Sequence, residues 1–273
     1  MPPGFVAHRA GDSLLVVAHR VEAAARAAGL CTPDAHERLD EATPFEVGRA
    51  ATALLELADG GPLLVVRRVR HGGWLGALLG RALLGVERPL AELRVSAALR
   101  ERCAPVAEPA FVLAHRRLGP VWNAAVATVA EEGARDALAF LGEAPSRART
   151  IRAARAAGRA VRRFHDAGGW HRDLHVKNLL VRESAEGVEC IVIDLDRARL
   201  LAELPPATRM RQLMRLYRSL VKRDLLERVG ARGLAAFFGA YVGRDRALRT
   251  ALRARLPLER ARLALHAWRY RRS

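Results

Sequence analysis

Two aspartates and one asparagine in the second half of the chain have the residue types and spacing of a metal-dependent transfer site. Asp173 and Asn178 lie five residues apart in the stretch WHRDLHVKNLL, and Asp194 comes 16 residues after Asn178, at the end of the apolar run IVID. Such a loop and such a strand end can converge at one edge of a small sheet. One carboxylate can then orient the proton of an attacking hydroxyl, while the amide oxygen and the second carboxylate hold magnesium against nucleotide phosphates. The spacing therefore favours phosphoryl transfer.

The elements around this loop indicate a helical second half. The Ala- and Arg-rich run from Thr150 to Ala167 predicts a long helix that ends at Gly168-Gly169. The loop follows, and then two short strands, Leu179 to Val181 and Cys190 to Ile193. The sequence after Pro205-Pro206 has helical character throughout.

The first half is richer in strands. The Val- and Leu-rich stretch Phe45 to Arg70 predicts a hairpin, and Arg88 to Cys103 predicts a helix. Two further strands are expected at Phe111 to Arg116 and Val121 to Val129. The character of the sequence changes at about Glu131. We therefore expect an α+β protein of two lobes, with a strand-rich N-terminal lobe over residues 1–130 and a helical C-terminal lobe over residues 131–273.

Positive charge dominates the composition of the chain. The formal net charge is +17, with 46 Lys and Arg residues against 29 Asp and Glu, and only Lys177 and Lys222 are lysines. An anionic partner such as nucleic acid, an anionic membrane surface or a phosphorylated glycolipid would explain this excess. A GC-rich genome would explain why arginine replaces lysine, but not why basic residues outnumber acidic ones.

Other features of the sequence bear on its cellular location. Cys31, Cys103 and Cys190 are scattered without metal-ligand spacing, which is typical of a reducing compartment. The N-terminal residues lack a secretory signal pattern, and no apolar run reaches the roughly 18 residues of a spanning helix. We expect a cytoplasmic protein that is soluble or peripheral. The basic tail from Arg246 to Arg272 is either an amphipathic helix that closes the second lobe or a surface for an anionic membrane.

The stretch from His171 to Asn178 matches the protein-kinase catalytic-loop pattern H-R-D-L-x-x-x-N at every fixed position. Asp194-Leu195-Asp196 stands where those kinases carry D-F-G, and the chain therefore resembles the protein-kinase-like superfamily. It departs from eukaryotic protein kinases because Asp196 replaces their glycine and no A-P-E follows. Aminoglycoside and choline kinases usually have glycine where this chain has Arg172.

Three stretches narrow the resemblance to the bacterial lipopolysaccharide core kinases. They are IDLDRAR, RRVRHGG and RPLAELRVSAALRE, and the likeness runs from about Gly48 to Arg199. More narrowly, the chain resembles kinases of 3-deoxy-manno-octulosonic acid (Kdo), with the heptose kinases as relatives. The resemblance implies a bilobal protein-kinase-like fold, ATP and Mg²⁺, and an acceptor Kdo on the lipid A precursor of the lipopolysaccharide inner core. It also implies peripheral association with an anionic membrane, at the cytoplasmic face of the inner membrane.

The same resemblance implies a role for each site residue. Asp173 would be the catalytic base, and Asn178 and Asp194 the magnesium ligands. In the first lobe, Arg67 would be the cation that pairs with the nucleotide phosphates, in place of the usual lysine, with Glu92 as its helix partner.

Two points in the first lobe stay open. The neighbouring Arg68 or Arg70 could be the phosphate-pairing cation instead of Arg67. The turn GRAAT, which begins at Gly48, would lie over the phosphates, although it has one glycine where protein kinases have three.

Other functions compete with this interpretation. The acceptor could be a heptose, a small molecule or a protein, and a catalytically weak pseudokinase would keep the same fold. All three polar catalytic positions are filled, which argues against a pseudokinase. We expect no nucleic-acid partner, because no nucleic-acid-binding motif is present and aromatic residues make up only 5% of the chain.

Overall fold

The chain forms two compact units. The computed structural model describes residues 1–39, 43–47, 50–57, 60–70 and 82–270. The first unit consists of Met1–Glu101, Ala107–Glu132 and Leu195–Arg197, and the second of Arg102–Val106, Gly133–Asp194 and Ala198–Ser273. The chain therefore leaves the second unit immediately after Asp194 and returns to it at Ala198.

The first unit is built on one antiparallel sheet. Its described strands are β1 (Phe5–Ala10), β2 (Ser13–Ala18), β3 (Thr43–Val47), β4 (Ala50–Glu56), β5 (Leu63–Arg68), β6 (Leu83–Leu84), β7 (Pro109–Leu118) and β8 (Val121–Val129). They are ordered β1-β2-β7-β8-β5-β4-β3, and β6 pairs with β8. Its described helices are α1 (His19–Ala27), α2 (Ala35–Arg38) and α3 (Glu87–Glu101).

Both faces of this sheet carry buried side chains. Successive side chains of a strand point to opposite sides of the sheet, so one strand can contribute to both buried clusters. Strand β2 supplies Leu15 to one buried cluster and Leu14 to the other. Helix α1 contributes Val21 to the first cluster, and α3 contributes Leu93 to the second. Burial of Leu93 fixes α3 against the sheet, and the preceding residue Glu92 reaches strand β5.

The second unit is mainly helical. Its described helices are α4 (Ala137–Gly142), α5 (Arg147–Asp166), α6 (Pro206–Val221), α7 (Leu226–Val242) and α8 (Arg246–Tyr270). Strands β9 (Ala134–Asp136), β11 (Leu179–Ser184) and β12 (Gly187–Val192) form a sheet in the order β12-β11-β9, and β10 (Gly169–Trp170) pairs with β13 (Arg199–Leu200). Helices α5 and α7 approach closely at Gly158, where a Cβ atom would lie 2.3 Å from the backbone oxygen of Phe237.

Side-chain caps set the starts of α4 and α5. The carboxylate of Asp136 accepts a hydrogen bond from the backbone N–H of Ala139 at 2.8 Å. The hydroxyl of Ser146 accepts one from the N–H of Arg149 at 3.4 Å. These caps satisfy N–H groups that have no partner inside a helix. Helix α5 therefore starts three residues before Thr150, where the sequence pattern places its beginning.

The α+β class expected from the sequence is confirmed, with strands concentrated in the first unit and helices in the second. The basic tail lies mostly in α8, which buries Leu248 and Leu252 and packs against α6. Throughout the described ranges, no helix combines the length and the apolar character that a bilayer crossing requires.

Candidate active site

Two glycines turn the chain from helix α5 into the loop that carries Asp173. Gly168 has φ +86°, and a Cβ atom there would lie 2.1 Å from the backbone oxygen of Leu201. A Cβ atom at Gly169 would lie 2.6 Å from the ring of Phe164. Only glycine fits these two positions. The close packing at the two glycines therefore fixes the path of the chain from the end of α5 into β10.

His171 braces the loop from inside. Its Nδ1 accepts a hydrogen bond from the backbone N–H of Asp173 at 3.0 Å, and its Nε2 donates one to the backbone oxygen of Ile193, also at 3.0 Å. Burial lowers the pKa of His171 below its ordinary value. The neutral ring with its proton on Nε2 satisfies both bonds, and it ties the residue before Asp194 to the backbone of Asp173.

Helix α6 holds the same loop through two buried polar side chains. The amide of Gln212 accepts a hydrogen bond from the backbone N–H of His171 at 3.2 Å and donates one to its backbone oxygen at 2.7 Å. The hydroxyl of Ser219 accepts one from the N–H of Val176 at 3.1 Å. The sequence interpretation missed both residues. Their signal is the presence of polar side chains seven residues apart among the mostly apolar buried positions of this helix.

Asn178 is buried, and its side chain is oriented by the loop. Its Nδ2 donates a hydrogen bond to the backbone oxygen of Asp173 at 2.9 Å. Its own backbone oxygen accepts a hydrogen bond from the N–H of Ile193 at 3.0 Å. With Nδ2 engaged in this way, the side-chain oxygen Oδ1 is the atom of Asn178 that can bind a cation.

The Asp173 carboxylate faces solvent although its backbone is held tightly. The side chain is 66% exposed, and Nε2 of His175 lies 3.6 Å from its Oδ2. A fixed backbone under an accessible carboxylate is the arrangement that a base needs in order to meet a substrate hydroxyl.

Asp194 follows strand β12 and adopts a left-handed backbone, with φ +58°. Arg197, three residues later, has φ +56°. Such conformations cost roughly 1–2 kcal/mol for each residue that is not glycine, and they persist where other contacts fix the segment. The turn at the end of β12 is therefore held by specific interactions.

Arg67 and Glu92 form an ion pair within the first unit. Nη2 of Arg67 donates to both carboxylate oxygens of Glu92, at 2.6 and 2.7 Å. The Glu92 side chain is 6% exposed and that of Arg67 is 20% exposed. Strand β5, which carries Arg67, lies between β4 and β8. Gly48 lies outside the described residues.

A second charge pair in the first unit was absent from the sequence interpretation. Nε and Nη2 of Arg88 donate to the two carboxylate oxygens of Asp196, at 2.8 and 2.6 Å. Burial alone would raise the pKa of Asp196, but the hydrogen bond and charge of Arg88, with smaller contributions from Arg67 and Arg197, lower that pKa below its ordinary value. Asp196 is therefore ionised at neutral pH.

A sequence profile for the Lipopolysaccharide kinase (Kdo/WaaP) family matches residues 67–241, which is more than half of the chain. The chain belongs to this family. The match includes every candidate site residue named above except Gly48.

Curated proteins with kinase names are similar to the chain over part of their length. A 3-deoxy-D-manno-octulosonic acid kinase of Haemophilus influenzae (strain PittEE) is 30% identical over 156 residues, which cover 55% of this chain and 64% of the relative. The enzyme of the same name from Stenotrophomonas maltophilia (strain K279a) is 36% identical over 141 residues, which cover 50% of this chain and 51% of the relative. The chain thus spans between half and two thirds of the relatives that it matches.

A solved structure of a family relative is similar in fold. The structure of WaaP in complex with acyl carrier protein aligns with a TM-score of 0.55 at 23% sequence identity, and the alignment covers 86% of this chain and 90% of that chain. This likeness confirms the protein-kinase-like fold that the sequence implied.

The residues at the catalytic loop suit a magnesium ion. Among the residues that the structure describes, no group of three or more His, Cys, Asp or Glu side chains could hold a metal. Magnesium at a phosphoryl-transfer site needs only one or two side-chain oxygens, because substrate phosphates and water supply the rest. The Asp194 carboxylate and the Asn178 amide oxygen are hard donors of this type.

Proposed function

We propose that this member of the Kdo/WaaP family is an ATP-dependent kinase that phosphorylates a hydroxyl of Kdo in the lipopolysaccharide inner core. The observation that carries the proposal is the catalytic loop. Its Asp173 carboxylate is exposed to solvent while His171 and Asn178 fix its backbone. The names of the similar proteins from Haemophilus influenzae and Stenotrophomonas maltophilia support Kdo as the acceptor.

In the proposed reaction, Asp173 orients the sugar hydroxyl and takes up its proton. The hydroxyl oxygen forms a bond to the γ-phosphorus of ATP while the bond from that phosphorus to the oxygen of ADP breaks. Asn178 and Asp194 would hold Mg²⁺, which neutralises charge on the phosphates when it is bound. Arg67, oriented by Glu92, would bind phosphate oxygens, for which the planar guanidinium offers paired donors.

The charge of the chain fits an anionic acceptor at a membrane surface. A net charge of +17 would attract the carboxylate of Kdo and the phosphates of the lipid A precursor that carries it. We therefore propose that the protein works peripherally at the cytoplasmic face of the inner membrane. The long-range attraction is electrostatic, so binding to anionic vesicles should weaken as the salt concentration rises.

A test of the acceptor compares phosphate transfer from labelled ATP to four substrates: Kdo-bearing lipid A precursor, free Kdo, a heptose-bearing core and a generic protein acceptor. Label on the Kdo-bearing lipid, with much less on the heptose core, is the expected result. Label on the heptose core alone would overturn the choice of Kdo and keep the kinase. No transfer to any acceptor, despite ATP binding, would favour a pseudokinase.

A cavity in the second unit favours a further role, the binding of a fatty acyl chain. Its volume is about 600 Å³ and its lining is almost wholly apolar, including Phe140, Met214, Phe237 and Leu252. An apolar cavity of about 150 Å³ already binds benzene.

The acyl chain could come from two sources. Lipid A precursor carries such chains, and the similar WaaP structure is a complex with acyl carrier protein. Binding of acylated and unacylated acyl carrier protein, and of the glycolipid, separates these sources. Ala157→Phe narrows the cavity and should weaken binding of the acylated partner at least about tenfold, whereas Ala148→Phe, an exposed position on the same helix, should not. Equal binding of the acylated partner by both variants would show that the cavity is not the acyl-binding site.

A further inference from the structure

Helix α3 carries two charged side chains that engage different parts of the first unit. Arg88 and Glu92 are four residues apart, so they project from the same helix face. Glu92 accepts hydrogen bonds from Arg67 on β5, and Arg88 donates to Asp196. One helix face therefore binds both the candidate phosphate-pairing cation and the segment that follows Asp194.

The Arg88–Asp196 bridge uses all three nitrogens of the guanidinium. Nε and Nη2 bind the two carboxylate oxygens of Asp196, and Nη1 donates to the backbone oxygen of Arg70 at 2.9 Å. Both side chains are 23% exposed. A bidentate, partly buried pair of this geometry is stronger and more directional than an ordinary surface ion pair. It connects α3, the residues that follow β5 and the segment Leu195–Arg197.

The bridge anchors a turn that is conformationally strained. Asp194 and Arg197 both have a left-handed backbone, with φ +58° and +56°, and Asp196 lies between them. Aspartate enters this region more readily than most side chains do, but Arg197 keeps such a conformation only where the surroundings fix it. Both oxygens of Asp196 are bound to Arg88, so the carboxylate serves as an anchor for the turn.

We propose that Arg88 and Asp196 are positioning residues, and that their bridge holds the turn in the form that presents the Asp194 carboxylate to magnesium. The inference rests on the proposed function, because that function makes Asp194 a magnesium ligand. It adds two residues that act through the backbone of the turn without touching the metal or the nucleotide. Glu92 binds Arg67 through a separate ion pair, so removal of the bridge leaves that pair in place.

The test measures binding of a non-hydrolysable ATP analogue by calorimetry over a range of Mg²⁺ concentrations. Arg88→Gln and Asp196→Asn should each raise the Mg²⁺ concentration for half-maximal binding about fivefold to tenfold, the effect of one ordinary hydrogen bond. Metal-free binding of the analogue should stay unchanged. The double variant should be no worse than the more damaging single variant, because the two side chains act as one unit.

The matched control is the Arg116–Asp12 pair of the same unit. Nε and Nη2 of Arg116 lie 2.8 and 2.7 Å from Oδ1 of Asp12, and both side chains are 52% exposed. Arg116→Gln should leave the Mg²⁺ dependence at the wild-type value. Thermal unfolding of every variant shows whether it folds, and a fold-stabilising role alone would shift the unfolding midpoint without moving the Mg²⁺ dependence.

Three outcomes would overturn the inference. In the first, each single variant needs a Mg²⁺ concentration for half-maximal binding within twofold of the wild-type value. In the second, the increase in the double variant is the product of the increases in the single variants, and in the third, Arg116→Gln raises the required Mg²⁺ concentration as much as the bridge variants do. The assay contains no acceptor, so its result does not depend on whether Kdo is the true acceptor. A wild-type chain that binds no magnesium nucleotide would overturn both the proposed function and this inference.

Discussion

The side-chain amide of Asn178 donates a hydrogen bond to the backbone oxygen of Asp173, at 2.9 Å. The candidate magnesium ligand thus braces the candidate base, and the bond leaves the Asn178 oxygen as its cation-binding atom. The two functions of Asn178 can be separated by substitution, because one uses the amide nitrogen and the other uses the oxygen.

Asn178→Asp keeps an oxygen for magnesium and loses the N–H donor, whereas Asn178→Ala loses both. We expect Asn178→Asp to keep a Mg²⁺ dependence near the wild-type value while kcat falls about tenfold, because the Asp173 backbone is no longer held. Asn178→Ala should lose kcat and also need much more Mg²⁺. Steady-state kinetics at several Mg²⁺ concentrations checks this, and identical behaviour of the two variants would contradict the division of roles.

Removal of Arg67 should affect stability and nucleotide binding separately. Arg67→Ala takes two hydrogen bonds from the buried Glu92 carboxylate, so the free energy of unfolding should fall by about 3–5 kcal/mol. The double variant Arg67→Met/Glu92→Met should recover most of that loss, because neither side chain is then charged. ATP affinity should stay at least about tenfold weaker in both variants. Urea unfolding and calorimetry measure the two effects.

Variants of the neighbouring arginines identify the phosphate-pairing cation. Arg68→Ala and Arg70→Ala should weaken ATP binding less than Arg67→Ala does, since Arg67 is the residue that Glu92 orients. A larger loss of ATP affinity in either neighbour would transfer the role to that residue.

The stability of the second unit should depend on pH through His165. This ring is fully buried, and Tyr241 Oη lies 2.7 Å from its Nδ1. Burial, with a smaller contribution from the charge of Arg209, lowers the pKa of His165 to about 3. In the unfolded chain the pKa of this histidine is near 6.5. Between about pH 6.5 and pH 3, His165 is therefore protonated in the unfolded chain and neutral in the folded one. Stability is fully present above about pH 6.5 and is lost as the pH falls toward 3.

The loss attributable to His165 should be roughly 2–3 kcal/mol between pH 6.5 and pH 4.5. Urea unfolding of the wild type and of His165→Leu/Tyr241→Phe over this range isolates it, because the double variant keeps the other titrating groups, including His171. The variant should lose less stability on acidification than the wild type. Equal losses would show that His165 does not control this window.

Local sequence patterns predicted the fold class and the loop of Asp173 because the relevant residues are close together in the chain. Strand β1, by contrast, was not predicted. Its sequence FVAHRA is only partly apolar, and its stability comes from pairing with β2 along its full length. The turn at Gly11-Asp12 was the local signal for this hairpin.

The contacts that hold the site could not be read from local patterns. Arg88 and Asp196 are 108 residues apart, and Gln212 is 41 residues from His171. Such pairs form only when packing brings their elements together, and a lone arginine or glutamine in a helix has no pattern that reveals a distant partner. The chemical groups were thus visible in the sequence, whereas the residues that position them were visible only in the structure.

The central claim is tested most directly by phosphate transfer from γ-labelled ATP to Kdo-bearing lipid A precursor, with wild type, Asp173→Asn and Glu186→Gln measured side by side. Glu186 is an exposed carboxylate in the turn between β11 and β12, so it serves as the matched control. We predict label on the glycolipid with wild type and Glu186→Gln, a rate at least about 100-fold lower with Asp173→Asn, and unchanged ATP binding in all three. Transfer by Asp173→Asn at a rate near that of wild type would contradict the role of Asp173 and, with it, the proposed mechanism.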